Sequence, residues 1–175
     1  MFKQEALEVL RNRRAIRKFK SEQVSEEALA EILEAGKFAP TGGGTQGVKI
    51  VVVQDPENVA AVNALNAKIM NRPDAQPYYG APTILLIFET EASFTNIYDG
   101  SAVCTNMLNA AYACGVGSCW IHRCAPMFET DEGKALLAKW GITEPLRGVA
   151  SIALGYADCE QPEPKPRKAD YVVRV

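Results

Sequence analysis

The stretch Gly115-Val116-Gly117-Ser118-Cys119-Trp120-Ile121-His122-Arg123 predicts the unit around which this chain folds: a turn, a strand and an open strand end. The stretch opens with a Gly-x-Gly turn at 115–117. The run 116–121 predicts a short strand that the turn leads into. A chain that leaves the end of a strand often presents free backbone N–H groups, so the end at Arg123 is a candidate ligand site. The plainer interpretation places Trp120 in the core and the Arg123 charge in solvent.

Helices and further strands flank this stretch on both sides. From about 96 to 114 the chain is rich in alanine and other small or apolar side chains all round, which predicts a long, central, buried helix. Other helices are predicted at about Gln4–Asn12, from the cap Ser25 towards Pro40, after the cap Asp55, and at about Thr130–Trp140. Strands are predicted at 48–54, 83–88 and 147–154. This alternation indicates a single domain, 1–175, of the α/β or α+β class with one sheet.

Composition and charge exclude several classes of protein. No apolar run approaches the roughly 20 residues that a membrane helix needs, and the first residues lack the apolar stretch of a secretory signal. A net charge of -2 and a pI near 5.5 argue against general nucleic-acid binding. The odd number of cysteines, five, is typical of a reducing compartment. We therefore expect a cytoplasmic protein without membrane or nucleic-acid partners.

The single histidine of the sequence stands between two cysteines. Cys119, His122 and Cys124 have a Cys-x-x-His-x-Cys spacing that matches no common zinc pattern, so we expect no metal site. We expect the cysteines to pack as small apolar side chains in strand and helix cores. His122 has no obvious nucleophile partner, and the sequence contains no Gly-x-Ser-x-Gly elbow, so we predict no catalytic side chain.

Two clusters of positive charge stand near the ends of this mildly acidic chain. One comprises Arg13, Arg14, Arg17 and Lys18, and the other lies in 165–168. Two isolated clusters in an acidic protein suggest a specific anion, and a phosphate fits best. The alternative is that both clusters are solvated terminal charges.

A loop with three consecutive glycines, Thr41-Gly42-Gly43-Gly44-Thr45-Gln46-Gly47, precedes the strand at 48–54. Glycine lets a backbone approach a ligand closely, although a mobile surface loop has the same composition. The loop is neither a Walker A loop nor a Gly-x-Gly-x-x-Gly fingerprint, since no Gly-Lys-Ser/Thr follows and the loop comes before its strand. Anion-binding ends, glycine-rich loops and no acid–base set favour a protein whose cofactor carries the chemistry.

Four segments together resemble the nitroreductase family of FMN-dependent oxidoreductases. They stand in the family's order and span the chain: 13–19, 39–46, 115–123, and 155–156 followed by 165–168. The Cys-Trp-Ile-His-Arg run at 119–123 resembles a compact subgroup of that family. The chain departs from the family at Ala15, where serine is usual, and in the glycine loop, where the usual Asn, Pro and Trp are missing.

The resemblance implies a fold, a cofactor and a partner. The fold is α+β, with three layers around a mostly antiparallel sheet, flanking helices and an extended C-terminal arm. The cofactor is FMN, bound at each of two subunit interfaces of a homodimer. The implied FMN-binding residues are Arg13, Arg14, Ala15, Arg17, Pro40, Thr41, Gly42, Gln46, Trp120, Ile121, His122, Arg123, Lys165 and Arg167.

The same resemblance implies separate roles within this set. The three arginines of 13–17 hold the phosphate and the polar edge of the flavin, and the basic residues of 165–167 complete the phosphate clamp. Residues 40–42 line the flavin from the partner subunit. Residues 120–123 cover its other face and supply a backbone N–H to flavin N5.

The function implied is an FMN-dependent oxidoreductase that works by ping-pong electron transfer. NADH or NADPH is the donor, and a nitroaromatic, a quinone or a similar small molecule is the acceptor. The flavin carries the redox step, while the protein contributes position and electrostatics. The alternative is a flavin-binding storage or redox-sensing protein without efficient turnover.

Overall fold

A computed structural model describes residues 2–90 and 94–175 of the chain. Helices and strands alternate along the sequence. The helices are α1 (Phe2–Asn12), α2 (Glu26–Lys37), α3 (Pro56–Ile69), α4 (Ile97–Ala113), α5 (Cys124–Glu129) and α6 (Asp131–Lys139). The strands are β1 (Val48–Val53), β2 (Thr83–Glu89), β3 (Gly117–Ile121) and β4 (Arg147–Gly155). A short 3-10 turn, Gly42–Gly44, lies in the glycine loop.

The four strands form one antiparallel sheet in the order β1-β2-β4-β3. Every residue of β2 is buried, and so is every residue of β4 except the first, because these strands fill the middle of the sheet. The two strands at the edges, β1 and β3, are partly exposed. The sequence pattern leaves the α/β and α+β classes open, and the antiparallel pairing decides between them. The α+β prediction is confirmed.

The sheet separates two cores, so the molecule has three layers. Side chains alternate across a strand, and in β2 Ile84, Leu86 and Phe88 lie in one core while Leu85 and Ile87 lie in the other. The first core contains buried residues of α3, α5 and α6. The second contains buried residues of α2 and α4. This is the three-layer arrangement that the resemblance implies.

Several predicted helix ends are confirmed in atomic detail. The Ser25 Oγ accepts a hydrogen bond from the Ala28 N–H at 3.3 Å, and the Asp55 carboxylate accepts one from the Asn58 N–H at 3.0 Å. Gly141 follows α6 with φ of +75°, in the left-handed region that glycine adopts without strain. These caps satisfy backbone groups that a helix end leaves unpaired.

Helix α5 is absent from the sequence prediction. It is only six residues long, so it is too short to show a helical repeat of apolar residues, and it contains Pro126. Its buried residues Cys124, Met127 and Phe128 join the core on the α3 side, and the Phe128 ring packs edge-on against Phe88 at 4.9 Å. Tertiary packing therefore stabilises a helix that local sequence does not indicate.

Both ends of the chain expose apolar surface. Leu7 and Leu10 on α1 are 46% and 60% exposed, and the C-terminal segment 159–175 is exposed throughout. Helix α4 buries seven residues but leaves Ile97 and Tyr98 in solvent at its start. Among the described helices, none is both long and apolar enough to cross a bilayer.

Candidate functional site

The first basic cluster lies along the edge strand β3. The Ile16 N–H donates to the Ser118 carbonyl oxygen at 3.0 Å, and Ala15 forms an isolated bridge with Ser118. Gly117 makes this approach possible, because a Cβ there would stand 3.2 Å from the Ile16 side chain and 3.0 Å from the Gly155 carbonyl oxygen. The structure therefore brings the segment 13–17 beside the strand that ends at His122 and Arg123.

The three arginines of this segment have different environments. Arg13 and Arg14 are half-buried and Arg17 is exposed. Burial raises the pKa of the neighbouring Cys119 thiol, and the positive charges of Arg17 and Arg13 lower that pKa. Both charges therefore act on the middle of β3.

Arg14 has a second role in the fold. Its Nη1 donates to the Arg11 carbonyl oxygen at 2.7 Å and to the Arg13 carbonyl oxygen at 2.9 Å. A cation at a helix C-terminus satisfies its free carbonyls and interacts favourably with the helix dipole. Its Nε is buried and has no hydrogen-bond partner within residues 2–90 and 94–175, so one donor of this guanidinium lacks an acceptor.

The turn after β3 is held from inside the protein. Arg123 has φ of +80°, a left-handed conformation that is uncommon for a residue with a side chain. The buried Asn66 of α3 contacts this turn twice: its Oδ1 accepts from the Arg123 Nε at 2.7 Å, and its Nδ2 donates to the His122 carbonyl oxygen at 3.2 Å. The Arg123 side chain is therefore bound to the core, whereas the His122 side chain is exposed.

Further buried polar groups continue inward from Asn66. The Asn66 Nδ2 also donates to the Tyr78 hydroxyl at 3.3 Å, and that hydroxyl lies 2.9 Å from the Ser151 Oγ. The Ser151 hydroxyl donates to the Ile121 carbonyl oxygen at 3.3 Å. Burial raises the pKa of Tyr78 far above its ordinary value, so its hydroxyl stays protonated and can donate.

A cleft of about 320 Å³ opens beside this turn. It is lined by residues 120–123 and by the loop before β2, including Met70, Gln76 and Tyr79. Trp120 is 36% exposed, so it is neither a core residue nor fully in solvent. The cleft combines aromatic, apolar and cationic side chains.

The glycine loop is anchored to the start of α4. The Gly42 N–H donates to the Asp99 Oδ1 at 3.0 Å, and the Gln46 N–H donates to the Thr41 Oγ1 at 3.0 Å. A Cβ on Gly42 would collide with the Thr95 side chain, so only glycine fits there. Pro40 and Gln46 are exposed.

Within one chain the glycine loop and the basic segment lie at opposite edges of the sheet. The loop leads into β1 and the basic segment lies along β3, with β2 and β4 between them. Three inter-strand spacings of about 4.8 Å separate the two edges by roughly 14 Å. One chain therefore carries two separate halves of the predicted site.

The second basic cluster is not brought to the first. Lys165 and Arg167 are exposed in the C-terminal segment. That segment nevertheless starts beside the basic one, because the Gln161 Nε2 donates to the Asn12 carbonyl oxygen at 3.0 Å and the Asp158 N–H donates to the Lys18 carbonyl oxygen at 3.0 Å. The arm thus leaves the sheet along residues 12–18.

Residues 10–156 match the Nitroreductase family. The chain belongs to the nitroreductase family.

Relatives and solved structures of nitroreductases extend this match to nearly the whole chain. A protein of Archaeoglobus fulgidus that carries the name NADH dehydrogenase/NAD(P)H nitroreductase is 28% identical, with 90% of this chain and 88% of the relative covered. A nitroreductase of Bacteroides fragilis with bound FMN has a TM-score of 0.89 and 26% identity, with 98% of each chain covered. An FMN-dependent nitroreductase of Clostridium difficile has a TM-score of 0.84 and 26% identity, covering 99% of this chain and all of the other.

In this nitroreductase the histidine and cysteines do not form a metal cluster. Among residues 2–90 and 94–175, no group of three histidine, cysteine, aspartate or glutamate side chains could hold a metal ion. Cys104, Cys119 and Cys124 are buried, as expected for cysteines that pack as apolar side chains. The expectation is wrong for Cys159, which is exposed, and Cys114 is half-buried. His122 is exposed at the turn between Cys119 and Cys124.

The sequence predictions do not include the buried polar residues behind the turn after β3. These residues are Asn66, Tyr78 and Ser151. A signal was present, because Asn66 interrupts the apolar face of α3 between Leu65 and Ile69, and Ser151 stands in the middle of an apolar strand. A polar residue at a buried position needs a hydrogen-bond partner. The sequence does not show which partner, since the fold alone brings Asn66 and Ser151 to the same Tyr78 hydroxyl.

Proposed function

We propose that this nitroreductase is an FMN-dependent oxidoreductase that passes electrons by a ping-pong mechanism from NADH or NADPH to a small acceptor such as a nitroaromatic or a quinone. The observation that carries the proposal is the position of the arginine segment 13–17 against β3, the strand that continues into the turn at His122 and Arg123. The name of the Archaeoglobus fulgidus relative and the FMN in the Bacteroides fragilis structure support the donor and the cofactor.

The residues present suit a phosphate-bearing flavin. The buried Arg14 Nε that lacks an acceptor matches a ligand rich in acceptor oxygens, and Arg13 and Arg17 add positive charge beside it. Lys165 and Arg167 complete the phosphate clamp when the arm closes, while Ala15 and 120–123 lie against the flavin. When bound, FMN supplies the redox chemistry at its isoalloxazine ring.

The complete site requires a second copy of the chain. The glycine loop, with Pro40, Thr41, Gly42 and Gln46, leads into β1, and the basic segment of the same chain lies along β3. Three strand spacings, roughly 14 Å, separate these two strands, so the loop reaches the flavin held by a partner. The exposed leucines of α1 and the exposed C-terminal arm supply surface for a homodimer. The cytoplasmic location remains a prediction from composition.

Purified protein should be yellow and should bind one FMN per chain in preference to FAD, because a closed phosphate clamp leaves little room for an adenylate. NADH and NADPH consumption, measured with a panel of nitroaromatic and quinone acceptors, checks the activity. Flavin binding without acceptor-dependent turnover would favour the storage or sensor alternative. A colourless protein that FMN does not stabilise would contradict the proposal.

A further inference from the structure

The side chain of Asn66 makes three hydrogen bonds, all to the turn and its support. An arginine Nε can only donate, so the Asn66 oxygen must face Arg123 and its amide nitrogen must face the other two partners. The nitrogen then gives one hydrogen to the His122 carbonyl and the other to the Tyr78 hydroxyl. Asn66 is fully buried, so none of these contacts competes with solvent.

In the hydrogen bonds beyond Asn66, each group donates to the next group along the series. Because Ser151 donates to the Ile121 carbonyl, its oxygen accepts from Tyr78, and the Tyr78 oxygen accepts from Asn66. Tyr78 is 1% exposed and Ser151 is fully buried. In a buried series of hydrogen bonds the bonds polarise one another. Loss of any one side chain in the series leaves a buried polar group without a partner.

This network fixes two successive peptide planes. The peptide bonds are trans, so the N–H of each peptide points opposite to its C=O. The Ile121 carbonyl points to Ser151, so the His122 N–H points away from β4 towards the open edge of the sheet. The His122 carbonyl points to Asn66, so the Arg123 N–H points away from α3.

We propose that Asn66, Tyr78 and Ser151 are positioning residues that fix the direction of the His122 and Arg123 backbone N–H groups towards the bound flavin ring. The inference rests on the proposed function. A donor that is aimed in advance stabilises negative charge at its target without reorganisation. The network therefore controls the midpoint potential of the bound FMN from behind the turn, since its three side chains are buried. The Arg123 side chain helps to hold the turn, because its Nε donates a hydrogen bond to the Asn66 Oδ1.

Two variants test the network, one neutral and one charged. Ser151→Ala removes the hydroxyl behind the Ile121 carbonyl without changing charge. Asn66→Asp keeps an acceptor for Arg123 but removes the donor to the His122 carbonyl. The control is Asn63→Asp, one turn earlier on α3, whose side chain contacts Gln76 and the Tyr78 backbone instead of the turn. Asn63→Asp adds the same negative charge as Asn66→Asp, on the same helix.

The measurement is the midpoint potential of FMN bound to each variant, together with kcat and KM for the donor. Ser151→Ala and Asn66→Asp should reduce the preference for reduced over oxidised FMN about tenfold, which is a fall of about 30 mV for a two-electron couple. kcat should fall with little change in KM, and Asn63→Asp should match the wild type. A merely structural role would lower thermal stability and leave the potential unchanged.

The outcomes separate this inference from the proposed function. If the wild-type protein binds FMN and oxidises NADH or NADPH, but Ser151→Ala folds with an unchanged potential, the inference is wrong and the proposed function stands. A shift of equal size in Asn63→Asp would assign the effect of Asn66→Asp to charge, leaving the neutral Ser151→Ala as the deciding variant. If the wild type itself binds no FMN, the proposed function fails first.

Discussion

The double variant Arg13→Gln, Arg17→Gln should lose most of its affinity for FMN. In the proposed site each arginine makes a hydrogen bond between charged groups, worth about 1.5–3 kcal/mol, so the loss of one should raise the dissociation constant roughly tenfold or more. The Gln side chains keep some polarity and length while removing the charge. Titration of the apoprotein with FMN, followed by flavin fluorescence, measures the change.

Lys134→Gln is the control for this experiment. Lys134 is exposed on α6, away from the predicted site. Its replacement removes one positive charge, as each of the single variants Arg13→Gln and Arg17→Gln does, so these single variants are measured beside the double variant. Arg14 is a poorer probe, because its guanidinium also holds the carbonyls at the end of α1. If the arginine variants bind FMN as tightly as Lys134→Gln, the basic cluster at 13–18 is solvated surface charge.

Placing charges on α1 should dissociate the proposed homodimer and release FMN. Leu7 and Leu10 are 46% and 60% exposed in the single chain, and full burial of a leucine side chain is worth about 1.5–3 kcal/mol. In a twofold dimer each substitution acts twice. We therefore expect Leu7→Glu, Leu10→Glu to sediment as a monomer at micromolar concentration and to bind FMN weakly.

The matched variant Leu7→Met, Leu10→Met keeps the apolar surface and should remain a dimer that binds FMN. Analytical ultracentrifugation and the FMN titration, carried out on the same samples, check both properties. A charged variant that stays dimeric would show that α1 lies outside the interface. A monomer with unchanged FMN affinity would contradict a site shared between subunits.

The helix caps and strands were predictable because their signals are local. Ser25 and Asp55 cap helices by bonding to an N–H three residues away, and Gly141 ends α6 through its own backbone conformation. Helix α5 was not predictable, since its six residues depend on contacts with distant Phe88. Local patterns thus predicted the longer elements, and packing determined the short one.

The candidate site was predicted in part. Its residue types came from the charge clusters and from the family resemblance, but the support of the turn by Asn66, Tyr78 and Ser151 joins three elements that are far apart in sequence. The departure at Ala15 is compatible with the site, because Ala15 pairs with Ser118 through its backbone. The dual role of Arg14 was hidden because its partners are backbone carbonyls.

The central claim is that each FMN site contains the arginine segment of one chain and the glycine loop of another. Complementation between two defective variants tests it directly. One variant carries Arg13→Gln and Arg17→Gln. The other carries Gly42→Val, whose side chain would collide with Thr95 and displace the loop. Each variant alone should bind little FMN, and the two are produced together in one cell with different tags.

Random pairing makes half of the dimers mixed, and each mixed dimer contains one site in which both halves are intact. We therefore predict that the co-produced protein binds about a quarter of the wild-type FMN per chain, all of it in dimers that carry both tags. If the mixed dimers bind no more FMN than the separate variants, the arginine segment and the glycine loop do not form a shared site, and the account is contradicted.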